Sequence, residues 1–386
     1  MSQKSEDTVR EHQWISSDTE LVNLCGQLKS VQWLAVDTEF VRTNTFYPVP
    51  GLVQLYDGER VYLVDPLPIT DWSPLSGIFA QPDILKVLHA CGEDLELFFS
   101  LGIQQPQPLF DTQVAAAMLG GELNEGLQNL VNRNLDLHLT KHETRSDWTL
   151  RPLSDEQIRY AKEDVVILLP LFEKQKEALL DRGQYDLVLA EGDLMGAQAA
   201  NPIAEDVYYL KLRGGWKLRK HAQSLLATLA SWREREAKAR NIPRRRICTD
   251  DDLIQLAMRR PESLGQITQC TKLMGSQLRK FGKLILELVK EDEAREPAGD
   301  EFVMIRPPLP KSAKELYQQV REMAQSIASE KGINPGLLAS RSMLEELVDW
   351  YLKGQAAEQP ALLRTWRGDI LGSLLMDVLQ TGEDDR

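Results

Sequence analysis

Cysteine is scarce in this 386-residue chain: Cys25, Cys91, Cys248 and Cys270 are widely spaced, and no C-x-x-C pair occurs. Such scattered thiols suit neither a disulfide framework nor a zinc site, and they fit a reducing, cytosolic compartment. No apolar run approaches the roughly 20 residues that a membrane helix needs. The N-terminus, MSQKSEDTVREHQW, lacks the basic-then-apolar order of a secretory signal. A G-x-x-x-x-G-K-[ST] phosphate loop is also absent, so no nucleoside triphosphate is expected as partner, and an ATP-driven helicase is excluded.

What is present is an uneven distribution of charge. The composition, 42% hydrophobic and 27% charged, is ordinary for a globular protein, and the length suits two or three domains. The net charge of −13 hides a basic middle. Residues 1–200 carry 15 lysines and arginines against 31 acids, residues 211–290 carry 19 against 7, and residues 291–386 carry 11 against 18. A middle segment of that sign suits phosphate backbones.

Hydrophobic patterning divides the chain in the same places. Residues 12–200 read as α/β. Trp33-Leu34-Ala35-Val36-Asp37 is an apolar, β-prone run, expected as a buried strand with Asp37 and Glu39 at its end. Two runs around Asp57-Gly58, beginning at Val53 and Arg60, read as a two-residue hairpin. Short strands are expected at 84–88 and 108–110, with helices between them and dominating after Asp111. Residues 211–292 read as all-helical, with an apolar stripe through Leu225, Leu226, Leu229, Trp232 and Ala237. An acidic, proline-bearing linker from Glu291 to Lys311 leads to a third, all-helical region at 312–382.

Chemistry concentrates in three short segments: VDTEF (36–40), HACGEDLELF (89–98) and RYAKEDVVIL (159–168). Asp37 and Glu39, two apart on a strand, share a face. Tyr160 and Asp164 are i and i+4 on a helix opened by the capping-box pattern Ser154-Asp155-Glu156-Gln157, so they stack about 5–6 Å apart at Cβ. Asp94 lies in the first turn of the helix that follows the strand at 84–88. Taken singly, each residue has an ordinary reading: a turn acid, a helix-dipole acid, a half-buried tyrosine. Four acids and a phenol on separate elements of one α/β pattern are what a two-metal phosphodiesterase needs, because the ions clamp the attacking and leaving oxygens at phosphorus.

These three segments, in this order and with Tyr-x-x-x-Asp in the last, resemble the DEDD exonucleases of the tyrosine subclass. VRTNTFYPVPGLVQLYD (41–57), FDTQVAAAMLG (110–120) and ETRSDWTLRPLSDEQIRYAKEDV (143–165) resemble the bacterial ribonuclease D family, and the resemblance spans nearly all of the chain after residue 12. It implies a ribonuclease H-like mixed-sheet exonuclease domain followed by two HRDC-like helical domains. It also implies removal of nucleoside 5′-monophosphates from RNA 3′ ends, with transfer RNA precursors as the expected substrate. Asp37 would bridge two divalent ions, Glu39 and Asp164 would complete the first site, and Asp94 would serve the second. Hard oxygen ligands favour Mg²⁺, with Mn²⁺ as the alternative. Tyr160 would orient the attacking water.

Two rivals belong to other classes. A DNA-directed exonuclease shares the acidic motif, and matched RNA and DNA 3′ ends would separate it. A non-catalytic nucleic-acid adaptor is disfavoured by the intact five residues. RNA contact is expected from the basic stripe Arg240, Arg244, Arg245 and Arg246, with Lys211, Arg213, Lys217, Arg219 and Lys220 upstream. Aromatic residues there are few, Trp216 and Trp232, so backbone tracking is expected over base stacking. All five chemical groups lie before residue 200, so that region is expected to act alone on short RNA.

Overall fold

The computed structural model describes residues 11–138, 146–295, 299, 301–355 and 358–384. Of the segments quoted above, most of the N-terminal stretch and residues 143–145 lie outside the described residues. Contacts group the chain into two units. One holds the described residues through Val41, Val49–Asn201 and those from Leu309 onward; the other holds Arg42–Pro48 and Pro202–Pro308.

The first unit is built on a six-stranded sheet: β1 (His12–Ile15), β2 (Trp33–Val41), β3 (Val49–Tyr56), β4 (Val61–Val64), β5 (Leu85–Leu88) and β6 (Leu109–Asp111), in the order β1-β4-β3-β2-β5-β6. β2, β3 and β4 form an antiparallel meander, while β5 and β6 continue parallel to β2 and β1 lies parallel to β4. Helices α1 (Asp18–Leu28), α2 (Ser73–Phe79), α3 (Gly92–Ser100), α4 (Thr112–Met118), α5 (Leu127–Leu135), α6 (Asp155–Val166), α7 (Leu168–Asp181) and α8 (Tyr185–Ala200) complete this region.

Alternation along the strands decides which helices each face meets. Ala35, Leu52, Leu63 and Val87 pack with Ala161 and Val165 of α6 and Phe172 of α7. Leu34, Val36, Val53 and Leu55 pack instead with Leu21 and Leu24 of α1 and Leu95 and Phe98 of α3. Asp37 and Glu39 have the parity of Ala35 and look toward α6, whereas Thr38 looks toward α3.

Three local expectations change. Asp37 lies in the middle of β2, because β3 pairs with that strand as far as Val41. The hairpin loop is four residues, Asp57 to Arg60, since the Asp57 carboxylate accepts from the Glu59 and Arg60 amides at 2.8 and 2.7 Å and holds a wider turn. The strand β1 is an addition: four residues with little alternation give no period to read.

The second unit is helical: α9 (Lys220–Arg240), α10 (Asp250–Arg259), α11 (Leu264–Cys270) and α12 (Gly275–Glu293) enclose Leu225, Leu229, Ile247, Leu256, Phe281 and Ile285. Phe46, from the short Arg42–Pro48 segment, joins that core.

The last helices, α13 (Lys314–Lys331), α14 (Pro335–Leu338), α15 (Arg341–Leu352), α16 (Ala361–Arg364) and α17 (Trp366–Asp384), return to the first unit. Their buried Leu316, Val320, Leu338 and Leu371 belong to the same apolar cluster as Phe110, Phe172 and Val188. Polar ties reinforce it: Asn334 donates to the Ala117 and Gly121 carbonyls, both at 2.8 Å, and Gln184 donates to the Lys331 carbonyl. The region before residue 200 is therefore not self-contained, and its core is completed by residues more than a hundred positions later. No helix among the described residues is long and apolar enough to cross a membrane.

Candidate active site

The site forms where β2 meets α6. Asp37, Glu39 and Asp164 each bring a carboxylate oxygen within 4.8 Å of the others. The Ser154 capping box is formed on both sides, Ser154 accepting from the Gln157 amide and Gln157 from the Ser154 amide, which fixes the start of α6. The register of that helix then points Tyr160 and Asp164 at β2. A cavity of about 290 Å³ opens over them, lined by Asp37, Thr38, Glu39, Phe40, His89, Leu127, Tyr160, Asp164 and Leu168.

Asp94 reaches the site from the other face of the sheet. It sits in the first turn of α3, buried, and accepts a hydrogen bond from the Thr38 hydroxyl. It is not part of the three-carboxylate cluster, although its charge is felt strongly at Asp37. The turn that presents it is held by Asp111, which accepts from the Ala90 and Cys91 amides at 3.2 and 2.8 Å and also caps α4 through the Gln113 and Val114 amides. Ala90 is left-handed there, at φ 53°, so this side-chain tie offsets a backbone cost.

The electrostatics are those of converging acids with no lysine or arginine beside them among the described lining residues. Burial, then the charges of Asp94, Asp164 and Glu39, hold Asp37 far above the usual carboxylate range. Burial with Asp164 and Asp94 lifts Glu39 to about 9. Asp94 is lifted by burial to about 7, against the lowering effect of the Thr38 hydrogen bond. Asp164 rises to about 6 by burial, opposed by a hydrogen bond from Tyr160. The Tyr160 phenol is pushed well above its ordinary value by burial and by Asp164, so it stays protonated. No lysine or arginine lines the cavity among the described residues. Half-buried, converging, oxygen-only donors of one sign fit hard divalent cations.

Sequence reasoning missed the supports. Trp148 is buried with its ring 6.1 Å from that of Tyr160. It packs over β3 at Gly51, where a Cβ would meet Trp148 Cβ at 2.4 Å and the Glu39 carbonyl at 3.0 Å. Arg151 ties this segment down, donating to Asp65 at 2.6 and 2.8 Å and to the Gly51 carbonyl at 2.7 Å. Thr38 and His89 also escaped notice, each lying beside a quoted acid or within a quoted segment. Asp111, closing an apolar run ahead of a helix, carried a readable cap signal.

The four arginines do not form one stripe. Three of them occupy a single 3₁₀ turn, Arg244–Arg246, which turns successive side chains about a third of a revolution apart. Arg244 faces inward: its Nε donates to both Glu234 oxygens at 2.7 and 2.8 Å, and its guanidinium lies 4.6 Å from the ring centres of Phe46 and Tyr208. Arg240 pairs with Glu236 and Arg246 donates to Asn44. Arg245 is exposed and makes no ion pair among the described residues.

The mixed sheet, with four acids and a tyrosine on β2, α3 and α6, lies in the stretch whose family model defines the class, a 3′→5′ exonuclease. The 3′-5′ exonuclease family model matches residues 12–179, the HRDC domain model matches 222–289, and the ribonuclease D C-terminal HRDC domain model matches 312–375. Ribonuclease D of Pseudomonas paraeruginosa is 36% identical over 374 residues, covering 97% of this chain and 99% of the relative. Ribonuclease D of Escherichia coli is 35% identical over 371 residues, covering 96% and 98%. The crystal structure of Escherichia coli RNase D, described as an exoribonuclease involved in structured RNA processing, superposes with a TM-score of 0.89 over 96% of this chain and 99% of that one. The chain belongs to the ribonuclease D family and is an exoribonuclease whose partner is RNA.

Proposed function

We propose that this exoribonuclease hydrolyses the 3′-terminal phosphodiester with two divalent ions, Mg²⁺ or Mn²⁺, held by Asp37, Glu39, Asp94 and Asp164. The observation that carries the reading is the convergence of the half-buried Asp37, Glu39 and Asp164 within 4.8 Å, with no lysine or arginine among the described residues that line the cavity. Bound ions offset the charge of the phosphate and acidify the attacking water. The chain's own residues do the rest. Asp37 and Glu39, side by side on β2, face Asp164 and gather the ligands at one point. Thr38 orients Asp94 through its hydroxyl. Phe40, Leu127 and Leu168 give the cavity an apolar wall against which a terminal nucleoside packs, and its volume of about 290 Å³ suits one such unit.

Tyr160 acts as an orienting hydroxyl. A phenol kept protonated by burial and by Asp164 is no base, but it fixes the position of whatever Asp164 also contacts. Tyr160→Phe is expected to lower kcat roughly 100-fold while leaving RNA affinity and bound metal unchanged. A kcat within twofold of the parent would remove the hydroxyl from the chemistry.

The proposed substrate is a transfer RNA precursor carrying extra 3′ nucleotides, met in the cytoplasm. The Escherichia coli relative's description as a processor of structured RNA supports this choice. End-labelled RNA digested with and without chelator, resolved to one nucleotide, tests the reaction. The same assay on a transfer RNA precursor, an unstructured RNA and a matched DNA tests the substrate. Equal rates on all three would overturn the substrate assignment.

A further inference from the structure

From Val207 to Arg233 the chain contains no acidic residue. Within this stretch, the segment preceding α9 has a period of three: Tyr209, Leu212, Gly215 and Leu218 are buried, while Arg213, Trp216 and Arg219 are exposed. Two short 3₁₀ turns, Tyr208–Lys211 and Gly215–Lys217, joined through extended Leu212 and left-handed Gly214 (φ 92°), carry this segment to α9.

The turn bearing Trp216 is tightly packed. A Cβ on Gly215 would meet Ile305 Cδ1 at 2.4 Å and Leu226 Cδ2 at 2.9 Å, so the residue before Trp216 is pressed against the core of its unit. Trp216 itself is 38% exposed, a large apolar surface held in water on a firmly seated turn. Trp232, the other tryptophan of this basic region, is only 6% exposed and lies in the core. Lys217 places its ammonium 5.6 Å from the Trp216 ring centre. Lys211, Arg213, Lys217 and Arg219 are exposed, and none is held in an ion pair among the described residues.

We propose that Arg213, Trp216 and Arg219 form a platform for single-stranded RNA, with one base stacked on the Trp216 indole and the neighbouring phosphates on the two arginines. An exposed aromatic ring with an exposed, unpaired arginine three residues to either side matches a polymer that alternates flat bases with charged phosphates. Every base offers a π-face, so the platform takes RNA of any sequence. This goes beyond the catalytic reading and adds base stacking to the backbone tracking that the sequence favours.

The test uses the full-length protein in EDTA, so that binding is read without cleavage and independently of the carboxylate site. Fluorescence anisotropy of a labelled oligoadenylate, at several potassium chloride concentrations, gives Kd and its salt slope. Trp216→Ala is expected to weaken binding about 5- to 100-fold with an unchanged salt slope, while Trp216→Phe stays within about threefold of the parent. Arg213→Ala and Arg219→Ala should each reduce the slope by about 0.7. Melting curves matching the parent show that the variants are folded. A Trp216→Ala protein binding within twofold of the parent overturns the stacking role, and unchanged slopes in both arginine variants overturn the phosphate contacts. Either result leaves the metal-site reading standing, because no divalent ion takes part.

Discussion

Asp37→Asn is expected to release no measurable nucleotide from RNA, a fall of more than about 10³-fold, and yet to melt above the parent protein in EDTA at pH 8. The two effects share one cause. Asp37 is the carboxylate on which Asp94, Asp164 and Glu39 all press, so its removal relieves repulsion in the metal-free state and destroys the donor set in the loaded one. The sign of the pH dependence follows. Glu39, Asp94 and Asp164, lifted to about 9, 7 and 6 in the folded chain, titrate near 4 when unfolded. Between about pH 4 and pH 9 the metal-free folded state therefore binds more protons than the unfolded state, and its stability falls as pH rises through that window. Divalent ions must displace those protons, so their affinity and their stabilisation grow with pH over the same range. The parent should melt lower at pH 8 than at pH 6 in EDTA and regain the loss with Mg²⁺ or Mn²⁺. The variant, neutral at position 37, should gain about 1–3 kcal/mol at pH 8 and respond little to either ion. Thermal unfolding of both proteins, at two pH values with and without metal, checks this. A variant less stable than the parent in EDTA would show that the carboxylates do not repel one another as described.

Arg367→Ala is expected to destabilise the first unit by about 3 kcal/mol or more. Arg367 is buried, donating from both terminal nitrogens to Glu191 at 2.7 and 2.8 Å and from Nε to the Leu337 carbonyl at 3.0 Å. Trp366 donates to the same Glu191 at 2.9 Å. Truncation leaves the Glu191 carboxylate and a carbonyl with partners missing, which costs more than the pair contributes in place. Because Glu191 lies on α8 and Arg367 on α17, the loss loosens the C-terminal helices from the sheet region. Urea denaturation, with Glu191→Gln and the double variant completing a thermodynamic cycle, measures the coupling. A cost below about 1 kcal/mol would mean that the apolar cluster alone holds these helices.

Much of this was legible beforehand. Trp33–Asp37 announced a strand by its apolar run, and Ser154 announced α6 by its cap, so the placement of Glu39 and Asp164 followed from periods of 2 and 3.6. The mixed sheet, the helical remainder and the family followed from the same segments. Long-range pairing was not legible. Nothing local says that Leu316 and Leu371 complete a core begun by Phe110, because an apolar stripe does not name its partner. Nor could a run of three arginines reveal that Arg244 turns inward to Glu234 while Arg245 stays in water: charge is read from sequence, and direction from backbone. The sequence marks Asp94 as a candidate acid of the site, but its approach from the opposite face, through Thr38, depends on how α3 packs against β2.

The most direct test of the two-ion site is anomalous scattering from crystals of the parent protein grown with Mn²⁺ and an RNA whose 3′-terminal linkage resists hydrolysis. Two manganese peaks are predicted, one among Asp37, Glu39 and Asp164 and the other beside Asp37 and Asp94. Peaks confined to other residues, or none at these four carboxylates, would contradict it.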